Sequence, residues 1–146
     1  MIIVDTDVLA IHLIFTWDRR REENERVYEL LVELGAKTTI YNLLELCGLL
    51  ALAKMECRIR DLLRAYLAEE EIGVEFPSYP RDWGEFTELV VRYLERGFSC
   101  GDALVALSVE AVGAETFVTW NKKHFGGKIG ARVLTPSEFL REFSQG

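Results

Sequence analysis

Few prolines, few cysteines and no long apolar run set the outer limits of this chain. Three prolines in 146 residues rule out a collagen-like or proline-rich chain, and Pro77 with Pro80 concentrates the loop signal in one segment. Three cysteines, Cys47, Cys57 and Cys100, form no C-x-x-C pair, and an odd number cannot close into a full set of disulfides, which points to a reducing cytoplasm. His12 and His124, the two histidines, share no metal-ligand spacing and read as packing or surface residues. The apolar run from Leu43 to Ala53 is too short to cross a bilayer and carries Glu45, so it reads as a buried helix. Met1 leads straight into Ile2-Ile3-Val4 without a basic stretch or a signal-length apolar segment, so neither export nor a membrane partner is expected. Positive charge is also in deficit. Lys and Arg number 17 against 24 Asp and Glu, a net charge of −7, which argues against nucleic-acid binding through the overall field. Any such contact has to be local. Arg19-Arg20-Arg21 and Lys122-Lys123-His124 are the clusters available, and each serves equally well as a solvated loop.

What is present suffices for one folded domain over residues 1–146. Hydrophobic residues make up 49% and charged residues 28%, both close to the globular average. Ile2 to Val4 is a continuous β-branched run, as in a strand buried on both faces. Val27, Leu30, Leu31 and Leu34 recur at helical spacing between Arg20 and Leu34, with Gly35 as the stop. Lys37 to Ile40 reads as a strand, Tyr41 to Met55 as a helix apolar almost all round, and Arg58 to Glu69 as a further helix. Val74 to Phe76 is another strand. Asp82 caps a helix running to about Arg96, and Ser99-x-x-Asp102 has the form of a capping box ahead of Ala103 to Val112. Glu115 to Thr119 and Ala131 to Leu134 are strands, and Pro136 opens a short terminal helix. Strands separated by helices predict an α/β fold, a parallel sheet with helices on both faces whose ligands bind beyond the carboxyl ends of the strands. Trp17, Trp83 and Trp120 read as core or interface anchors rather than base-stacking platforms.

Several carboxylates fall at such strand ends and helix starts. Asp5 follows the first strand, where it can cap a helix or face a ligand. Asp7 stands two residues on, and a helix needs only one cap, so one of the pair has another task. Glu45 is the sole acid between Leu43 and Ala53, and burying it unpaired would be costly. Lys54 and Arg58 lie too far along the helix to partner it. Asp102 is explained by the capping box alone, yet the first turn of that helix reaches the same sheet edge as Asp5. Two carboxylates about 4 Å apart repel by roughly 4 kcal/mol at an effective dielectric near 20. A cluster of three therefore implies a cation, and oxygen-only ligands favour Mg2+ or Mn2+ over zinc.

The ordered set Val4-Asp5-Thr6-Asp7-Val8-Leu9, Glu45 in an apolar helix, Gly101-Asp102-Ala103 and Phe117-Val118-Thr119-Trp120-Asn121 resembles the PIN-domain nucleases. Within them it is most similar to the small VapC-type toxins of prokaryotic toxin–antitoxin pairs. The resemblance covers nearly the full chain and implies a Rossmann-like sheet whose acidic pocket binds Mg2+ or Mn2+ and hydrolyses RNA phosphodiesters. Carried over, Asp5, Glu45 and Asp102 are the metal ligands, and Asn121 completes the catalytic set where many relatives have a fourth acid. An amide brings no charge, so one firmly held metal is expected rather than two. Asp7 and Thr119 border the pocket. Arg19, Arg20, Arg21, Lys122 and Lys123 are candidates for holding the RNA backbone. The resemblance also implies a small antitoxin partner and a homodimer.

Two rivals stay open at this point. Asp5-Thr6-Asp7 also resembles the opening motif of haloacid-dehalogenase-type phosphatases, with Asp5 as nucleophile. That family's later motif normally supplies a further acid where this chain has Ala106, and the glycine usual after the second Asp is Val8. The other rival is a catalytically degenerate PIN-like binding module, for which Asn121 is the sequence support.

Overall fold

The computed structural model describes residues 1–144; Gln145 and Gly146, the end of the expected 1–146 domain, lie outside the described residues. Among the described residues five three-residue strands form one sheet: β1 (Ile2–Val4), β2 (Lys37–Thr39), β3 (Gly73–Glu75), β4 (Thr116–Val118) and β5 (Arg132–Leu134). Their order is β3-β2-β1-β4-β5 and every pairing is parallel. The expected α/β, Rossmann-like parallel sheet with helices on both faces is thus the fold observed.

Among the described residues are eight α-helices, the first seven lying between strands and the last following β5: α1 (Thr6–Leu13), α2 (Arg21–Glu33), α3 (Ile40–Leu52), α4 (Ile59–Leu67), α5 (Trp83–Glu95), α6 (Cys100–Ala111), α7 (Lys122–Phe125) and α8 (Pro136–Phe143). The central strand explains the two layers. Val4 joins a core with Val8, Val27, Leu31, Leu43, Leu46 and Phe139, while its neighbour Ile3 points the other way into Phe117, Ala106, Leu107 and Phe125. A strand buried on both faces has no polar side to show, which is why β1 reads as an unbroken apolar run. The order reverses at β1, whose neighbours are β2 and β4, so the chains leaving β1 and β4 diverge and open a crevice at the carboxyl edge.

Several sequence expectations need correction. The α1 and α7 helices were not among the expected elements, α7 because its four residues are too short to show a period. A 3-10 turn over Glu56–Arg58 precedes α4, which ends at Leu67 rather than Glu69. Leu34, expected on the buried face of α2, is 44% exposed because it lies past the last turn, beside Gly35 at φ +71°. The α3 helix is not buried all round: Leu44 is 53% and Leu52 83% exposed, and Glu45 and Gly48 also face out. Trp17 and Trp83 are 77% and 81% exposed, so neither anchors the core. All three cysteines are free thiols. Among the described residues no helix is long and apolar enough to cross a membrane.

Candidate active site

The backbone leaves β1 at Val4, and the Asp5 N–H donates to the Val118 carbonyl at 2.9 Å, so the next residue starts at the edge between β1 and β4. Asp5 takes extended backbone angles and caps α1. Its Oδ1 accepts from the Thr6 N–H at 2.8 Å and from Asn42 Nδ2 at 2.9 Å, and its Oδ2 accepts from the Thr119 hydroxyl at 2.7 Å. Both oxygens of a nearly buried carboxylate are thereby fixed. Burial, then the charge of Asp7, then that of Glu45, raise its pKa well above the usual carboxylate range, against the hydrogen bonds from Thr119 and Thr6.

Asp7 has the other task. Its Oδ2 accepts from the Trp120 N–H at 3.0 Å and from Asn121 Nδ2 at 3.3 Å, tying the start of α1 to the end of β4. Its Oδ1 is buried with no hydrogen-bond partner among the described residues. Burial pushes its pKa up to about 6, with the Thr119 hydroxyl and the Trp120 N–H opposing.

Two further residues complete this inner group. Thr119, fully buried, accepts from the Asn121 N–H at 3.0 Å while its hydroxyl serves the acids. Asn42, also fully buried, was not singled out from the sequence. Thr39 caps α3 and its hydroxyl donates to Asn42 Oδ1 at 2.7 Å, leaving Nδ2 to donate to Asp5 and to Thr6 Oγ1 at 2.9 Å. The available signal was an asparagine in an otherwise apolar helix, three residues before Glu45.

Glu45 reaches the site for a different reason from the one its sequence suggested. It is exposed, so the expected cost of burying it does not arise. Its place comes from α3 packing on α6: Glu45 Oε2 lies 3.6 Å from where a Cβ on Gly101 would stand, and its charge is felt at Asp5. Asp102 is the third residue of α6. Its N–H donates to the Ser99 hydroxyl at 3.3 Å, but its side chain is not engaged in a return bond and lies instead 3.2 Å from His124 Nδ1. His124, read as a packing or surface residue, is therefore the neighbour of a site acid.

The structure thus brings Asp5, Asp7, Thr119 and Asn121 into direct contact, with Glu45 on α3 near enough to be felt at Asp5 and Asp102 on α6 beside His124. Among the described residues, no three His, Cys, Asp or Glu side chains converge closely enough to enclose a metal ion as they stand, so the expected trio of Asp5, Glu45 and Asp102 shares an edge without closing into a cage. The donor chemistry nonetheless suits a hard cation: the oxygens are carboxylate, amide and hydroxyl, and Asp7 Oδ1 lacks a partner. Of the basic candidates, Arg20 is bonded to Asp18 and stacks over Trp120 at 5.2 Å, Arg21 is bonded to Glu25, and Lys122 contacts Glu138 at 2.8 Å. Arg19 and Lys123 are exposed.

No family model matches the sequence, and no curated protein does. Solved structures do share its fold. VapBC2 from Rickettsia felis bound to a promoter DNA fragment matches with a TM-score of 0.63, at 20% identity over 92% of this chain and 98% of that one. FitAcB from Neisseria gonorrhoeae matches with a TM-score of 0.60, at 16% identity over 94% and 99%. A toxin–antitoxin complex from Klebsiella pneumoniae matches with a TM-score of 0.58, at 20% identity over 93% and 98%. The fold is accordingly the same α/β fold as in these solved structures. At these identities what is shared is the fold, across nearly the whole of both chains.

Proposed function

We propose that this chain is a metal-dependent ribonuclease that hydrolyses RNA phosphodiester bonds with Mg2+ or Mn2+ and serves as the toxin of a toxin–antitoxin pair. One observation carries the reading: Asp5, buried, and Asp7, half-buried, share one hydroxyl at the sheet crevice, each with a raised pKa, and Glu45 adds its charge to Asp5. Such a group is stable with a cation or with a proton, and only the cation suits a hydrolase working near neutral pH.

Asp5 and Asp102 would hold the ion, with Glu45 directly or through water, and the ion would supply an activated water and offset the negative charge developing on the phosphoryl oxygens. The chain's own work is orientation. Thr6, Asn42 and Thr119 hold Asp5 in one rotamer, and Asp7 fixes the β4 end so that Asn121 stands at the rim. Asn121 leaves the rim with less negative charge than a fourth acid would, which eases approach of a polyanion. Arg19 and Lys123 are the basic candidates best exposed to meet the RNA backbone.

The toxin assignment draws on the solved structures of the same fold, one of which is a toxin–antitoxin complex. A small antitoxin partner follows from the same reading, as does self-association through the bare leucines of α3. The dehalogenase-type reading gains less support, because both Asp5 oxygens are engaged as acceptors and Asp7 is tied to the backbone of Trp120. Cleavage of single-stranded RNA by the purified protein, with Mn2+, with chelator and with Asp102→Asn, tests the proposal. Equal cleavage by wild type and variant would sink it.

A further inference from the structure

Away from the acidic crevice, two adjoining cavities of about 310 and 340 Å3 share His12, Tyr28 and Glu71. They lie at the opposite edge of the sheet. Ile72 in the lining immediately precedes β3, and His12 stands near the end of α1, whose eight residues run back about 12 Å from Asp5. Nothing in the proposed reaction uses this place.

We propose that the first cavity binds an organic cation, a primary ammonium or guanidinium carried on a short aliphatic stem. The charge balance favours it. Glu70 and Glu71 face the first cavity, and Glu25 and Glu29 the second. Arg21 is paired with Glu25, and His12 Nδ1 lies 2.9 Å from the same carboxylate. Tyr66 gives an independent reason. It is 6% exposed, lines the cavity, and its hydroxyl is buried without a hydrogen-bond partner among the described residues. A native fold rarely leaves such a group unpaired, and a ligand N–H would satisfy its lone pair. The Tyr28 hydroxyl, which donates to Glu71, keeps its own lone pair for the same use. Burial and the Glu71 charge push the Tyr66 hydroxyl above its ordinary range, so it stays a neutral phenol. Leu62, Ala65 and Ile72 supply an apolar wall for the stem, and the His12–Tyr28 stack, with ring centroids 3.6 Å apart, makes a rigid side. Phosphates and nucleic acid are excluded by the same glutamates.

The site is tested by NMR titration of the full chain with n-butylammonium and with 1-butanol as the uncharged counterpart. Butylammonium should shift Tyr28, Tyr66 and Ile72 while butanol leaves them unmoved. Tyr66→Phe should weaken the cation at least fivefold with an unchanged melting temperature, since removing an unpaired buried hydroxyl costs the fold nothing. Glu71→Gln should weaken it further, and Asp102→Asn should leave it unchanged. Equal binding of butanol, or loss of the amine shifts in Asp102→Asn, would overturn the proposal, the latter by placing the cation in the acidic crevice. Spermidine and N-acetyl-arginine amide separate the sources: the tighter of the two marks the natural cation as a free polyamine or as a side chain of a protein partner. The outcome is independent of whether the chain cleaves RNA.

Discussion

Asp5 and Asp7 compete for a single proton donor: the Thr119 hydroxyl lies 2.7 Å from Oδ2 of Asp5 and 3.2 Å from Oδ2 of Asp7. One hydroxyl hydrogen cannot satisfy both, and Asp7 Oδ1 has no partner among the described residues. The pair is therefore under-neutralised by the protein, and its energetics depend on what else is bound.

The first consequence is a stability that falls as pH rises. Asp7 has its folded pKa raised from 3.8 to about 6, so the folded state holds its proton longer than the unfolded chain does. That contribution is fully present below about pH 4 and lost as pH rises through 6. Its size is on the order of 3 kcal/mol. Surface acids such as Glu138, held low by Lys122, act in the opposite sense, so the clean measurement is a difference. Urea unfolding of metal-free wild type and Asp7→Asn should show the variant gaining on wild type between pH 4.5 and 7.5. A constant gap across that range would contradict the repulsion.

A cation should reverse that loss. Mn2+ competes with the proton for the same oxygens, so it should raise the melting temperature at pH 7.5 and do little at pH 5. Asp5→Asn should abolish the effect. RNA cleavage should follow the same pH trend and stop with chelator. A melting temperature indifferent to Mn2+ at pH 7.5 would count against a metal site here.

Thr119 is the common support, and Thr119→Val should expose how much the site depends on it. The variant loses the donor to Asp5 and the acceptor for the Asn121 N–H, in a fully buried place. A stability loss of about 1–3 kcal/mol is expected. Thr119→Ser should keep both stability and cleavage close to wild type, whereas a packing role alone would leave valine, which keeps the shape, as stable as wild type and make serine the poorer variant.

The strand ends were legible because a parallel sheet writes its centre as short apolar runs and its functional edge as the polar residue that follows. Asp5 and Thr119-Trp120-Asn121 stand out that way, while Asp102 stands out through the capping-box spacing from Ser99 at a helix start. The ground for singling out Glu45 does not hold, because apolar residues all round α3 suggested burial, whereas Leu44, Gly48 and Leu52 face out with it. Periodicity reports which residues could be buried, and only tertiary packing decides which are. Asn42 and His124 went unseen because each acts through a contact far away in sequence, with Asp5 and Asp102 respectively. Neither lies in a spacing that marks it.

The exposed stripe on α3 leads to the last prediction. Leu44, Gly48 and Leu52 recur every four residues on one face, with Leu44 at 53% and Leu52 at 83% exposure. A fully buried leucine is worth about 1.5–3 kcal/mol, and a two-fold axis uses each position twice, so pairing this face with a second copy would bury four leucines. Gly48 between them lets two helices approach closely. Sedimentation at tens of micromolar should therefore give a dimer, and Leu52→Glu should give a folded monomer. Leu52 lies nearly two turns beyond Glu45, so the charge enters the stripe without touching the acidic crevice. If wild type and Leu52→Glu both sediment as monomers, the stripe awaits a different protein, and the antitoxin of the proposed pair becomes its expected partner.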